Sequence, residues 1–325
     1  MKTKNYELKP LFIERMSALL GKDMDSYLEF LKKPLTRSIR ANTLKISPEK
    51  LRERLESLGW KIKQLFKEYP EIMVVEGKYV NGKKDDSYVN NDHQSVSDSE
   101  SRLVELEPGE LGRSMEHLLG YYYVQEIASM LSVLALKPES GELVLDIAAA
   151  PGSKTTQIAA VMKNTGTIIA NDVNLKRLKI LSSNMERCGA TNAIITKKDG
   201  IALCRRLKEH GFQFDKILVD APCSGEGTLR SSPITYQMWN PKTIKILSRL
   251  QKALLASVIE ILKPGGEIVY STCTHAPEEN EEVVDFVIKE FQDVKIESIN
   301  LPVKCRPGIG KWLDHDYDKN IEKSC

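Results

Sequence analysis

The chain has 325 residues, 41% of them hydrophobic and 28% charged, which is the balance of a globular protein with room for two domains and a sizeable core. It has no run of about 18 apolar residues, and its first residues, MKTKNYELKPLF, lack an apolar signal core, so neither a membrane span nor secretion is expected and a cytoplasmic protein is. A net charge of +2 neither demands nor excludes nucleic acid, because a local basic face matters more than the total.

In chain order, LFIERMSALL and YLEFLKK, within residues 6–33, carry helical spacing, and RSIRANTLKI follows as a short strand. SPEKLRERLESLGW reads as a helix capped by Ser47 and ended by Gly59. KIKQLF and IMVVEG are strands, so this part is a small α+β module. Residues 81–101 are polar and poor in apolar groups and read as a mobile loop, more simply a surface insertion than a binding element. YYYVQEIASMLSVLALKP gives a strand or turn entering an apolar helix.

From Gly141 the pattern is regular. The strands ELVLDIAAA, TIIAND, NAIITKKD, FDKILVDAP and GEIVYSTC alternate with the helices SKTTQIAAVMK, NLKRLKILSSNMERCG, GIALCRRLKEHG, NPKTIKILSRLQKALLASVIEILKPGG and PEENEEVVDFVIKEF. Asn240 and Pro241 open the fourth of these helices, and Gly265 is expected to close it. Alternation of this kind predicts an α/β fold with a parallel sheet and helices on both faces, and the near-continuous apolar strands fit a sheet buried on both sides. Ligands of such folds bind beyond the carboxyl ends of the strands.

Those strand ends carry the chemistry. The first leads into AAAPGSKT, whose small residues and Gly152 admit a ligand close to the backbone ahead of a helix N-terminus. It is neither G-x-G-x-x-G nor a P-loop. The second strand ends at Asp172, at about the spacing from Gly152 where an acid meets a ribose, and the third at Asp199, suited to an adenine amino group. Alone, each aspartate is more simply a loop or cap residue. As a series they point to a nucleoside. The fourth and fifth strands end in DAPC and STC, which set Cys223 and Cys273 over one crevice. A lone cysteine there is usually a small buried hydrophobe. The six cysteines contain no C-x-x-C pair and the five histidines are scattered, so neither a zinc site nor a disulfide framework is expected.

The series AAAPGSKT, DAPCSGEGTLR and STCTHAPEENEEVV resembles the Sun-type family of RNA (cytosine-5) methyltransferases over roughly residues 115–290, with RSIRANTL and GYYYVQEIASM similar upstream, and is most similar to archaeal tRNA-modifying members. The resemblance implies a Rossmann-like class I methyltransferase sheet over residues 116–325 and a smaller N-terminal α+β RNA-binding region over residues 1–115. It implies S-adenosyl-L-methionine as methyl donor, RNA as partner (transfer RNA first, ribosomal RNA second) and 5-methylcytosine as product. Cys273 matches the nucleophile that attacks carbon 6 of cytosine, and Cys223 the cysteine that assists product release. Asp220 matches the acid at the base edge, which on this reading needs burial to stay protonated. Lys154 matches a lysine near base and donor, placed to lower the pKa of Cys273. The donor shell implied is Ala148, Ala149, Ala150, Pro151, Gly152, Ser153, Lys154, Asp172, Asp199 and Asp220.

Amino-group methyltransferases carry a D/N-P-P-Y/F tetrad where this chain has DAPC, which argues against methylation of an exocyclic amine. Arg230 and Arg40 are the candidate RNA contacts, with Arg37, Lys45, Lys50, Lys176, Arg177 and Lys179 as further basic residues; Tyr121, Tyr122, Tyr123 and Trp239 suit core packing better than stacking on RNA. Two features depart from the family: Ser153 replaces a usual glycine, and members continue past a segment like KNIEKSC with a strand bearing Gly-Phe-Phe. FQDVKIESIN is thus expected as a penultimate strand with an unpaired edge. A monomer is expected. The rival readings are an enzyme with a small-molecule or protein substrate, which leaves the cysteine pair unexplained, and a catalytically silent RNA-binding assembly factor.

Overall fold

The computed structural model describes residues 8–81 and 101–324 and places two main sheets side by side, one antiparallel and one parallel. Helices α1 (Pro10–Leu20) and α2 (Met24–Lys32) come first. Phe12 and Met16, one turn apart, are fully buried with Met24 against Trp239, Ile244 and Ala276. The first two helices thus pack on the second half of the chain.

The antiparallel sheet is built from β1 (Ser38–Ala41), β2 (Trp60–Gln64), β3 (Ile72–Asn81), β4 (Ser101–Val104) and β5 (Tyr122–Val124) in the order β2-β3-β1-β5, with β4 also on β3. Helix α3 (Pro48–Ser57) covers it through Leu51 and Leu55, and its Ser47 cap accepts from the Lys50 amide as expected. The short helices α4 (Glu110–Arg113) and α5 (Met115–Leu118) lead into β5. The ends of the polar segment, Asn81 and Ser101, pair with each other; residues 82–100, where the mobile loop is expected, lie outside the described residues.

The parallel sheet follows from the regular alternation. It contains β6 (Leu143–Asp146), β7 (Thr167–Asn171), β8 (Ala193–Thr196), β9 (Phe214–Asp220) and β10 (Leu262–Ser271) in the order β10-β9-β6-β7-β8, every pairing parallel. Helices α6 (Ile127–Leu136), α7 (Ser153–Val161) and α8 (Leu175–Cys188) lie on one face with Val144, Ile168 and Leu218. Helices α9 (Gly200–Glu209), α11 (Pro241–Ile259) and α12 (Glu281–Glu290) lie on the other with Leu145, Ile217 and Val219; the short α10 (Pro233–Met238) precedes α11. Neighbouring strand residues serve opposite cores, which is the two-residue period of a doubly covered sheet. Strand order reverses between β6 and β9, and a crevice opens there beyond the strand tips.

Two expected boundaries shift. Helix α11 ends at Ile259, not Gly265, because Leu262–Gly266 joins β10 through a bulge around Pro264, which has no N–H, and Gly265 at φ 78°. FQDVKIESIN forms no strand: Phe291 and Val294 pack into the core, and β10 is the edge of the sheet among the described residues.

The two sheets are joined by polar contacts. Asn42 donates to the Gly120 and Cys188 carbonyls at 2.8 and 2.7 Å, and the Lys45 ammonium to the Arg187 carbonyl at 2.6 Å. Gly120 is needed at this seam, since a Cβ there would fall 1.9 Å from the Arg187 carbonyl oxygen. None of the helices among the described residues is long and apolar enough to cross a membrane.

Candidate active site

The AAAPGSKT turn links β6 to α7. Gly152 sits at φ 105°, and a Cβ there would lie 2.8 Å from Leu181 Cδ1, so only glycine lets the backbone take this path. Behind the turn, Asp146 is buried at the tip of β6. Its Oδ2 accepts from Thr155 Oγ1 at 2.7 Å and its Oδ1 has no hydrogen-bond partner. Burial raises its pKa to about 7. At the tip of β7, Asp172 is buried; its Oδ1 accepts from the Asn174 amide, while Oδ2 lies 3.0 Å from Arg177 Nη1 without a well-aligned hydrogen bond. Arg177 also donates to the Ala150 carbonyl, which ties the β7 tip to the turn. Asp199 caps α9, its Oδ1 accepting from the Ala202 amide at 3.0 Å. Two buried carboxylate oxygens with unused acceptor capacity, beside a backbone cradle open at Gly152, fit the hydroxyls and amino group of an adenosyl donor.

The cysteines meet across the neighbouring tips of β9 and β10. Cys223 and Cys273 hold their sulfurs 3.0 Å apart, and the Cys273 amide donates to Cys223 Sγ at 3.2 Å. The hydrogen bond from Cys223 lowers the pKa of Cys273, with a lesser contribution from the Lys154 charge, against burial and the Asp220 charge. Cys223 is pushed up by the same hydrogen bond, by burial and by the Cys273 charge. The lowering expected from Lys154 is present, and the contact with the second thiol adds to it. Lys154 reaches Asp220 Oδ2 at 2.7 Å, and Ser271 Oγ donates to Asp220 Oδ1 at 2.9 Å. The burial expected of Asp220 is not found: its side chain is 34% exposed and lies against the Lys154 ammonium.

A polar frame behind the cysteines escaped the sequence reading. Glu279 is fully buried; it accepts from the Ser224 amide at 3.0 Å and from Gln251 Nε2 at 2.9 Å. Glu226 accepts from Trp239 Nε1 at 2.7 Å and Thr274 Oγ1 at 3.2 Å, and Gly227 donates to the Cys273 carbonyl at 2.9 Å. Both loops that carry the thiols are held from behind. Asp146 was also missed; its signal was an acid inside the apolar run ELVLDIAAA.

Of the expected RNA contacts, Arg40 needs correcting. Arg40 is 2% exposed and donates to the Ser153 carbonyl at 2.7 Å, to Thr156 Oγ1 at 2.9 Å and to Gln125, so it braces α7 and faces no solvent. Arg230 lies over Phe30, 4.2 Å from the ring centre, and spends Nε and Nη2 on the carbonyls of Lys33 and Pro34. Arg37 and Lys45 are also bound to backbone carbonyls. Tyr122, Tyr123 and Trp239 are buried, as core packing requires.

The family described as 16S rRNA methyltransferase RsmB/F matches residues 133–315, more than half of the chain, and the N-terminal domain of 16S rRNA methyltransferase RsmF matches residues 8–68. The chain belongs to the RsmB/F family. The Ribosomal RNA small subunit methyltransferase F of Vibrio campbellii is 39% identical to this RsmB/F chain over 300 residues, 91% of the chain and 56% of that protein. The protein of the same name from Pectobacterium carotovorum is 40% identical over 83% of the chain and 50% of its own length. The chain thus spans about half the length of the curated relatives it matches. Among solved structures, a methyltransferase homolog from Pyrococcus horikoshii superposes with a TM-score of 0.77 at 33% identity, covering 98% of this chain and 89% of that one. NSun6 from the same organism, solved with SFG, gives 0.76 at 27% identity, covering 93% and 92%. The fold is the Rossmann-like sheet of methyltransferases with a further N-terminal domain.

Proposed function

We propose that this chain forms 5-methylcytosine in RNA, and in small-subunit ribosomal RNA specifically, with Cys273 as covalent nucleophile and S-adenosyl-L-methionine as donor. The observation that carries the reading is the pair of thiols 3.0 Å apart beside the Lys154–Asp220 ion pair. The names of the curated relatives support ribosomal RNA over the transfer RNA expected first.

The donor, when bound, supplies an electrophilic methyl carbon; Gly152, Asp146, Asp172 and Asp199 are the residues that would hold it. The chain's own work is on the base. Carbon 5 of cytosine is a poor nucleophile until a thiolate adds to carbon 6. The Cys273 sulfur forms that S–C6 bond and frees the C5–C6 π pair, which would be spent on a bond from carbon 5 to the donor's methyl carbon as the sulfonium S–CH3 bond broke; charge spread onto the ring meanwhile meets the Lys154 ammonium. Asp220 accepts from the amino group on carbon 4. Once Cys273 is a thioether, Cys223 loses both the hydrogen bond and the charge that held its proton. It can release that proton to solvent and, as the thiolate, take the one on carbon 5. The C5–H pair then restores the double bond, the S–C6 bond breaks, and its electrons return to Cys273.

The test is incubation of variants with ribosomal RNA and donor, read on a denaturing gel and by bisulfite sequencing. Cys273→Ala should give no 5-methylcytosine and no adduct. Cys223→Ala should accumulate a covalent protein–RNA species. An adduct in Cys273→Ala would reverse the two roles.

A further inference from the structure

A cavity of about 200 Å³ opens beside the cysteine loops, walled by Tyr27, Phe30 and Leu31 of α2, by Gly227 and Arg230 after β9, and by His275 after β10. We infer that it receives the nucleobase next to the target cytosine, so that α2 reads the sequence context of methylation; this rests on the RNA-methylation reading above. Three observations carry it. The cavity adjoins the nucleophile: Gly227 donates to the Cys273 carbonyl, and His275 follows Cys273 by two residues. Its walls are ring faces and a cation. Phe30 is 49% exposed with the Arg230 guanidinium 4.2 Å from its centre, and Tyr27 meets His275 edge-on at 5.8 Å. Aromatic rings and guanidinium planes are what unstacked bases settle on. Finally, polar capacity is present: the Tyr27 hydroxyl is buried with no hydrogen-bond partner, and a phenol is a donor at neutral pH.

The chemistry of the target base calls for such a recess. A cytosine reaches the thiols only if it leaves its stack, and its neighbour then loses a stacking partner. A ring-lined recess one loop away compensates for that loss.

The experiment uses the full chain and a short single-stranded RNA with one central cytosine, carrying 2-aminopurine or an abasic site on its 5′ or its 3′ side. With the wild-type protein, the fluorescence of 2-aminopurine at one of the two positions should change on binding. An abasic site at that position should lower kcat/KM roughly 10- to 100-fold, the range of base–aromatic stacking. Phe30→Ala, at an exposed position outside the catalytic groups, should abolish the fluorescence change and make the abasic and intact RNAs nearly equivalent. Tyr27→Phe should narrow any preference among the four bases there while leaving the fluorescence change. An abasic penalty of equal size in wild type and Phe30→Ala, or no penalty on either side, overturns the cavity's role. A fluorescence change that depends on Phe30 in a protein that methylates no cytosine would instead keep the cavity and overturn the enzymatic reading.

Discussion

Two sulfurs 3.0 Å apart are shifted in opposite directions, Cys273 down and Cys223 up. The contact with Cys223 holds the Cys273 thiol below the ordinary range near ~8.5, and the acid limb of its reactivity should lie lower as well. Iodoacetamide labelling of Cys273 against pH should show a midpoint below that of a free cysteine. Cys223→Ala should raise the midpoint, and Lys154→Ala should raise it less, because the lysine acts through its charge without a hydrogen bond to the sulfur. A larger effect from Lys154 would contradict the assignment. Asp146 offers a second titration. Its carboxyl ionises near ~3.9 when unfolded and near about 7 when folded. The folded chain therefore holds the extra proton between those values, and stability is fully present below the lower one and lost as pH rises through the upper. Asp146→Asn should flatten that decline and add roughly 1–3 kcal/mol of unfolding free energy above neutrality, measured by urea titration at several pH values. The same variant should weaken donor binding, because the amide presents one acceptor where the carboxylate presents two.

At the level of elements, the position of α7 decides whether the donor turn is formed. Its first turn is tied to the other sheet by Arg40, and its entry depends on Gly152. Burial lowers Arg40 to a pKa of about 10, still charged at neutral pH, and its guanidinium hydrogen bonds offset the cost of burying that charge. Arg40→Ala should lose about 2–4 kcal/mol by leaving the Ser153 carbonyl, Gln125 and Thr156 short of a donor. Denaturant unfolding measures this, and a loss under 0.5 kcal/mol would make Arg40 dispensable. Gly152→Ala should leave the melting temperature nearly intact in comparison but cut affinity for S-adenosyl-L-methionine by at least tenfold in calorimetry, since a side chain at φ 105° meeting Leu181 forces the turn to move.

Across the whole molecule, the first two helices bear on the catalytic loops although more than two hundred residues of sequence separate them. Phe12 meets Trp239 edge-to-face at 5.2 Å, the Trp239 indole donates to Glu226, and Glu226 accepts from Thr274, the residue after Cys273. Phe12→Ala should cost about 3–5 kcal/mol as a buried aromatic deletion, seen in thermal unfolding, and should lower kcat well below what the surviving folded fraction predicts. A fall in activity that only tracks folded fraction would mean that this chain of contacts supports the fold and not the site.

Much of this was legible in the residues alone because it is local or periodic. The alternation after Gly141 gives a parallel sheet whichever partners its strands find, and a reactive side chain at a strand's carboxyl end has nowhere to go but the crevice; hence Cys223, Cys273 and Asp172 were legible there, whereas Lys154, inside a helix, came only with the family resemblance. The Ser47 and Asn240 caps were legible for the same reason, since a cap acts within one turn. The rest depended on contacts between residues far apart in the chain. Charge type says nothing about burial, so Arg40 read as a phosphate contact when it is an internal brace. The frame of Glu226, Gln251 and Glu279, and the cavity shared by α2 and the cysteine loops, exist only after separate elements pack. FQDVKIESIN lacks a strand because a strand's stability lies in hydrogen bonds to a partner, and no periodicity within one segment supplies that partner.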